Sequence, residues 1–260
     1  MASTILNTDV EQKDAHSAVV VAVTSRDVFK DEENEVHDVL HVNESFQLLQ
    51  ILPKLNKLLK ERNPEEYLLF DVILITTDSQ QQQQSSRIIS STKHHGLEIS
   101  RFCFASEEDF IESLQKNNVQ LFLTTDRNEA SQATQKGVLS ALLDQQIALS
   151  PSDQLRILFC EDAATQPDTE SVTASKQAVQ GLAAQLGEMR RRFSMSDSPL
   201  CFILVTSHSG RESCANSLLT LRSSGLSVDE VYCLAGAPQG PIMSVLQPHF
   251  TLSVSFSLEE

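Results

Sequence analysis

The sequence predicts an α/β fold with a mostly parallel sheet and helices on both faces. Three observations carry that reading: seven short apolar or β-branched runs, segments of helical spacing between them, and a strand-then-helix alternation that repeats at least six times. Each run is short enough to be a strand buried on both faces, which is how parallel strands read in sequence.

Residues 1–16 are polar and lack periodicity, and they are expected to form a disordered lead-in. Ala18 to Val23 supplies the first strand. In the next segment Leu48, Leu49, Leu52, Leu55, Leu58 and Leu59 fall on one helical face, and Pro53 is expected to kink that helix or begin it. Leu68 to Ile75, Ile99 to Phe104 and Val119 to Leu123 read as three further strands, and Leu155 to Phe159 as a fifth. Leu182, Leu186, Met189 and Phe193 then repeat an i, i+4, i+7 spacing before the strand Cys201 to Val205. Leu218, Leu219 and Leu221 belong to a helix expected to end near Gly225, and Val231 to Leu234 is the last strand. The organisation expected is an N-terminal α/β region over 17–150 and a second region over 151–260, together one compact unit.

Composition narrows the function. The 260 residues carry 20 Lys and Arg against 35 Asp and Glu, a net charge of −15. Nucleic acid and anionic membranes need a basic face to displace counterions, so neither is an expected partner. The longest apolar run, Ala18 to Val23, is six residues, far short of the roughly 20 that span a bilayer. The N-terminus has neither a basic region nor an apolar region of secretory type. Five cysteines, an odd number with no CxxC pair, read as buried thiols of a reducing, cytoplasmic compartment.

Parallel sheets place ligands at the carboxyl ends of their strands. The polar clusters found there are Thr24-Ser25-Arg26, Thr76-Thr77-Asp78, Cys160-Glu161-Asp162, Thr206-Ser207-His208-Ser209 and Ala235-Gly236-Ala237-Pro238-Gln239-Gly240-Pro241. Other features are plainer. Gln80 to Gln84 reads as an expanded surface loop and Asp31 to Glu33 as a solvated one. His94-His95 reads as a helix-end pair beside Gly96, because adjacent histidines on a helix point apart and no third ligand is at hand. Arg26 suits either a phosphate or a surface ion pair, and Arg190-Arg191-Arg192 the charged end of a helix.

These clusters, in their order and spacing, resemble the cytosolic 5'-nucleotidase type I family of the haloacid dehalogenase-like superfamily. The resemblance runs from about Ala18 to about Phe250. It rests on Ala22-Val23-Thr24-Ser25-Arg26-Asp27-Val28-Phe29, Phe70 to Thr76, Arg101-Phe102-Cys103, Leu204-Val205-Thr206, Thr220 to Leu226 and, most distinctively, Leu234-Ala235-Gly236-Ala237-Pro238 followed by Gly240-Pro241. It implies a haloacid dehalogenase-like core and Mg²⁺-dependent hydrolysis of nucleoside monophosphates such as AMP. In that reaction the first carboxylate of a D-x-D motif attacks phosphorus and the second serves as acid and base. A Thr or Ser and a Lys hold the phosphate, and a later acidic pair completes the metal site. Oligomers, either of this chain or with an active family member, are a further implication.

Carried over residue by residue, the acid/base position, which is also the one remaining metal-ligand position, falls on Asp162. Thr206 and Ser207 fall where phosphate is bound. The nucleophile position holds Cys160, the lysine position Gln239, and the late acidic pair is replaced within Thr251-Leu252-Ser253-Val254. A thiol beside Glu161 and Asp162 is poorly placed to attack a phosphate, and it offers Mg²⁺ no oxygen. The expectation is therefore a nucleotidase-like protein with catalysis lost or strongly reduced and a binding or regulatory role. The alternative is an active 5'-nucleotidase with an altered site using Asp162 and Thr206. Without ligands, Cys160 reads as a small buried hydrophobe and Asp162 as a cap.

Overall fold

The computed structural model describes residues 3–14, 16–30, 39–43, 45–77, 85–143, 154–161, 169–194, 197–207 and 211–254. The runs Gln80 to Gln84 and Asp31 to Glu33 lie outside the described residues. The chain divides into two compact units, Met1–Ser140 and Ala141–Glu260. Each is built on mostly parallel strands with helices, as the alternation of runs predicts.

In the first unit the strands are β1 (Ser3–Leu6), β2 (Val19–Thr24), β3 (Phe70–Thr76), β4 (Arg101–Phe104) and β5 (Leu121–Thr124). Their spatial order is β1-β4-β3-β2-β5, and all pairs except β1 with β4 are parallel. The helices are α1 (Ser25–Val28), α2 (Phe46–Arg62), α3 (Ser85–His94), α4 (Phe110–Lys116) and α5 (Arg127–Gln135). Val20, Ala22, Ile73, Ile75 and Phe122 pack on one face against Phe110 and Leu114 of α4 and Ala133 of α5. Their neighbours Val19, Val21, Val23, Val72 and Leu74 point the other way and are equally buried. Both faces are thus covered, which is why these strands carry unbroken apolar runs.

The lead-in is not without structure: Ser3–Leu6 lies antiparallel to β4, with Ser3 opposite Phe104 and Leu6 opposite Arg101. All four side chains are exposed, so the strand is held by main-chain pairing, and Asn7 donates from Nδ2 to the Ile99 carbonyl at 2.8 Å. Of the two roles expected of Pro53, the start of the helix is excluded, because α2 runs from Phe46 and Pro53 lies inside it. Seven buried residues from Leu48 to Leu59 anchor it. Asn56 clamps it to β3, donating to the Phe70 carbonyl at 2.8 Å and accepting from the Phe70 amide at 2.7 Å.

The second unit has β7 (Leu155–Glu161), β8 (Leu200–Thr206), β9 (Glu230–Cys233) and β10 (Phe250–Val254), with α6 (Thr169–Arg190), α7 (Arg211–Ser223) and α8 (Gly240–Leu246). A short strand β6 (Ser140–Leu143) starts at the unit boundary and pairs antiparallel with β10, Leu143 opposite Phe250. The order is β6-β10-β7-β8-β9, parallel apart from β6. On one face Leu158, Cys160, Cys201, Ile203 and Val205 pack with Leu246 of α8. On the other, Phe159 meets Phe202 edge-on at 6.4 Å, and Arg190 at the end of α6 lies 5.8 Å from the Phe202 ring centre. None of the helices among the described residues is long and apolar enough to cross a membrane.

Candidate functional site

Register decides what the carboxyl edge of the second unit brings together. Cys160 pairs with Val205 and Glu161 with Thr206 across β7 and β8, while Ser253 of β10 lies beside Cys160 and Val254 beside Glu161. Because side chains alternate across a strand, Cys160 shares a face with Val205, and Thr206 falls on the opposite face in the position next to Glu161.

Cys160 is 5% exposed within the apolar cluster under α8. Gln239, 79 residues further on, reaches it: the amide Nε2 lies 3.0 Å from the thiol Sγ. The connection from β9 to α8 makes that reach possible. Leu234 donates from its amide to the Thr206 carbonyl at 2.8 Å, and Gly236 to the Ser207 carbonyl at 3.0 Å. The chain reverses through Ala235 and Gly236, both left-handed with φ of 51° and 86°, a conformation that glycine adopts freely and alanine does not. This segment crosses the end of β8 and delivers Gln239 to the end of β7.

The structure thus brings Cys160 and Gln239 into contact and sets Thr206 beneath the same connection on the other face. Thr206 is fully buried, and its Oγ1 has no hydrogen-bond partner among the described residues. Native interiors leave few such groups unsatisfied, so each calls for a physical reason. Ser207 is half-buried and is bound through its carbonyl. Asp162 lies outside the described residues.

Magnesium takes hard oxygen ligands in octahedral geometry. Here Cys160 presents a sulfur that already accepts from Gln239, Ser253 occupies the neighbouring register position, and no three His, Cys, Asp or Glu side chains among the described residues converge on a metal-sized site. The described residues do not fit a Mg²⁺ centre.

At the opposite, amino end of β7 lies a polar network that the sequence reading missed. The Arg156 amide donates to His249 Nδ1 at 3.0 Å and the His249 amide to the Arg156 carbonyl at 2.8 Å. The guanidinium donates to the Leu246 carbonyl at 3.0 Å and pairs with Glu230 at 3.2 Å, while Tyr232 donates to Glu230 at 2.9 Å. Burial pushes the Cys201 thiol up to about 11 and the His249 imidazole down to about 4. A charged residue at the second position of an apolar strand was the one available signal.

Elsewhere, Arg26 is ion-paired with Glu129. His95 is 2.8 Å from the Leu40 carbonyl through Nε2, and His94 is exposed. Arg190 ends α6 and binds Asp229 and the Leu200 carbonyl. No disulfide joins the five cysteines, all of which are described.

Comparison with known proteins agrees with this architecture. A family model described as 5'-nucleotidase matches residues 30–180, more than half of the chain. Cytosolic 5'-nucleotidase 1B of Homo sapiens is 32% identical over 237 residues, covering 81% of this chain and 38% of that protein. The chain therefore spans well under half the length of that relative. On the family match, and on the α/β architecture that carries it, the chain belongs to the cytosolic 5'-nucleotidase family.

Proposed function

We propose that this protein keeps the recognition surface of a 5'-nucleotidase and has lost, or strongly reduced, its hydrolysis. The observation that carries the reading is the contact between Cys160 and Gln239, a thiol and an amide where the family resemblance implies an aspartate nucleophile and a phosphate-neutralising lysine. Phosphoryl transfer depends on positioning and on cationic stabilisation of the transferring group, and a neutral pair supplies neither the attacking carboxylate nor the cation. Loss of a nucleophile alone costs about 10⁶ in turnover in a well-studied protease. The role left is ligand binding in the cytoplasm, with assembly either between copies of this chain or with an active relative. The unfilled hydroxyl of Thr206 supports a second reading, an altered hydrolase using Thr206 with Asp162.

Phosphate release from AMP, IMP and CMP, with and without Mg²⁺, separates the two. No release above the blank is expected from pure protein. Metal-dependent turnover that a Cys160→Ala variant abolishes overturns the proposal.

A further inference from the structure

We infer that Ser194, on the turn that follows α6, is a phosphorylation site for a protein kinase that reads basic sequence. The chain carries 20 Lys and Arg, and Arg190-Arg191-Arg192 is the one place where two or more of them stand side by side. Phe193 and Ser194 follow directly, which sets Arg191 three residues and Arg192 two residues before a hydroxyl. Kinases select substrates by the charge pattern around the acceptor, and carboxylates in a peptide cleft bind guanidinium groups through directed, charge-assisted hydrogen bonds. Asp197, three residues after Ser194, would suit an acid-directed kinase, but a cleft lined with basic groups is repelled by the arginines that precede the acceptor.

The three arginines divide by exposure. Arg190, the last residue of α6, has a side chain 12% exposed and is held by Asp229 and the Leu200 carbonyl. The side chains of Arg191 and Arg192 are 61% and 33% exposed, and both pair with Glu188 one turn back on α6. Surface pairs of this kind are weak and exchange readily for a partner's carboxylates. Ser194 lies past the helix and is exposed. Its hydroxyl donates to Asp197 Oδ2 at 2.9 Å, and the Asp197 amide donates to the Ser194 carbonyl at 3.3 Å. Ser90 is the contrast: it is exposed and three residues after Arg87, yet it lies within α3, where its hydroxyl donates to the Arg87 carbonyl at 3.0 Å. A hydroxyl turned back on its own helix is not offered to a kinase. In the modification the Ser194 Oγ attacks the γ-phosphorus of ATP, the bond from that phosphorus to the β,γ-bridging oxygen breaks, ADP leaves, and the hydroxyl proton passes to the kinase's catalytic aspartate. The new phosphate trades the hydrogen bond to Asp197 for repulsion and competes with Glu188 for Arg191 and Arg192.

The folded full chain is incubated with ATP, Mg²⁺ and either the catalytic subunit of cyclic-AMP-dependent protein kinase, which reads basic sequence, or casein kinase 2, which reads acidic sequence. Peptide mass spectrometry locates the phosphate, and circular dichroism reports the fold of each variant. The first kinase is expected to modify Ser194 and to leave Ser90 unmodified, and Ser194→Ala is expected to lose that phosphate. Replacing both arginines, Arg191→Gln with Arg192→Gln, is expected to lower kcat/KM for Ser194 by about tenfold or more. Phosphate on Ser194 only after denaturation, or on Ser90 in its place, overturns the inference. So does an unchanged kcat/KM in the folded arginine variant, or faster modification of Ser194 by casein kinase 2.

Discussion

Gln239 and Cys160 are joined by one hydrogen bond, Nε2 to Sγ at 3.0 Å, between residues 79 positions apart. The bond ties the segment after β9 to the last turn of β7's ladder and so closes the chain over the end of β8. A hydrogen bond of this kind contributes about 0.5–1.5 kcal/mol net. Gln239→Ala and Cys160→Ala are each expected to lower stability by about 1 kcal/mol or more, and the pair to lose less than the sum. Urea denaturation of the double-mutant cycle should give a coupling of about 0.5–1 kcal/mol. Strict additivity would contradict the contact.

Thr206 should trade stability against binding. Its buried hydroxyl is unsatisfied, a condition that costs about 1–3 kcal/mol, and valine has the same shape without the polar atom. Thr206→Val is expected to raise the midpoint of urea denaturation while weakening ligand binding. A variant that loses both stability and binding would show that the hydroxyl has a structural partner.

His249 makes the second unit acid-sensitive. Burial holds its imidazole at about 4, below its ordinary 6.5, so between those values the unfolded chain binds a proton that the folded chain does not. The contribution is complete above about pH 6.5 and is lost as pH falls toward 4, by up to about 3 kcal/mol. His249→Asn keeps an acceptor near the Nδ1 position and removes the titration. Its stability should vary less across that window than the wild type's, measured by denaturation at stepped pH.

Cys233 should stand apart among the thiols. It is exposed on the edge strand β9, whereas Cys103, Cys160, Cys201 and Cys214 are buried, and burial raises the Cys201 thiol to about 11. Alkylation at neutral pH is expected to modify Cys233 quickly and the other four only after denaturation. Peptide mass spectrometry reads the order, and early labelling of Cys201 would contradict the packing.

Two glycines of α6 give opposite outcomes. A Cβ on Gly187 would lie 2.2 Å from the Gly225 carbonyl oxygen, while one on Gly181 meets nothing within 4 Å. Gly187→Ala is expected to destabilise by about 1–3 kcal/mol. Gly181→Ala should stabilise by up to about 1 kcal/mol through helix propensity. Thermal denaturation of both variants checks the sign of each.

The strands most legible in the sequence are those buried on both faces, whereas β9, also read as a strand, is half-buried and exposed by turns instead of covered on both faces. Val19–Thr24, Phe70–Thr76 and Leu200–Thr206 are buried throughout, and burial is what an apolar run records. β1 left no such trace because its side chains are exposed and its pairing is made by the main chain. β10 carries no apolar run because Thr251 and Ser253 alternate with its apolar residues, yet its register sets Ser253 beside Cys160. Cys160, Thr206 and Gln239 stand in polar clusters that follow apolar runs, which is what marks them in the sequence, and the family resemblance supplies the roles of their positions. A contact between an amide and a thiol far apart in the chain has no periodicity to betray it, and the opposite faces of Cys160 and Thr206 emerge only from register.

Loss of hydrolysis on this family scaffold is best measured under single-turnover conditions. Purified protein is held in excess over radiolabelled AMP with Mg²⁺, where even very slow chemistry becomes visible. AMP is expected to decay no faster than in the protein-free control, and Cys160→Ala is expected to behave identically. Mg²⁺-dependent release of phosphate that Cys160→Ala abolishes would contradict it.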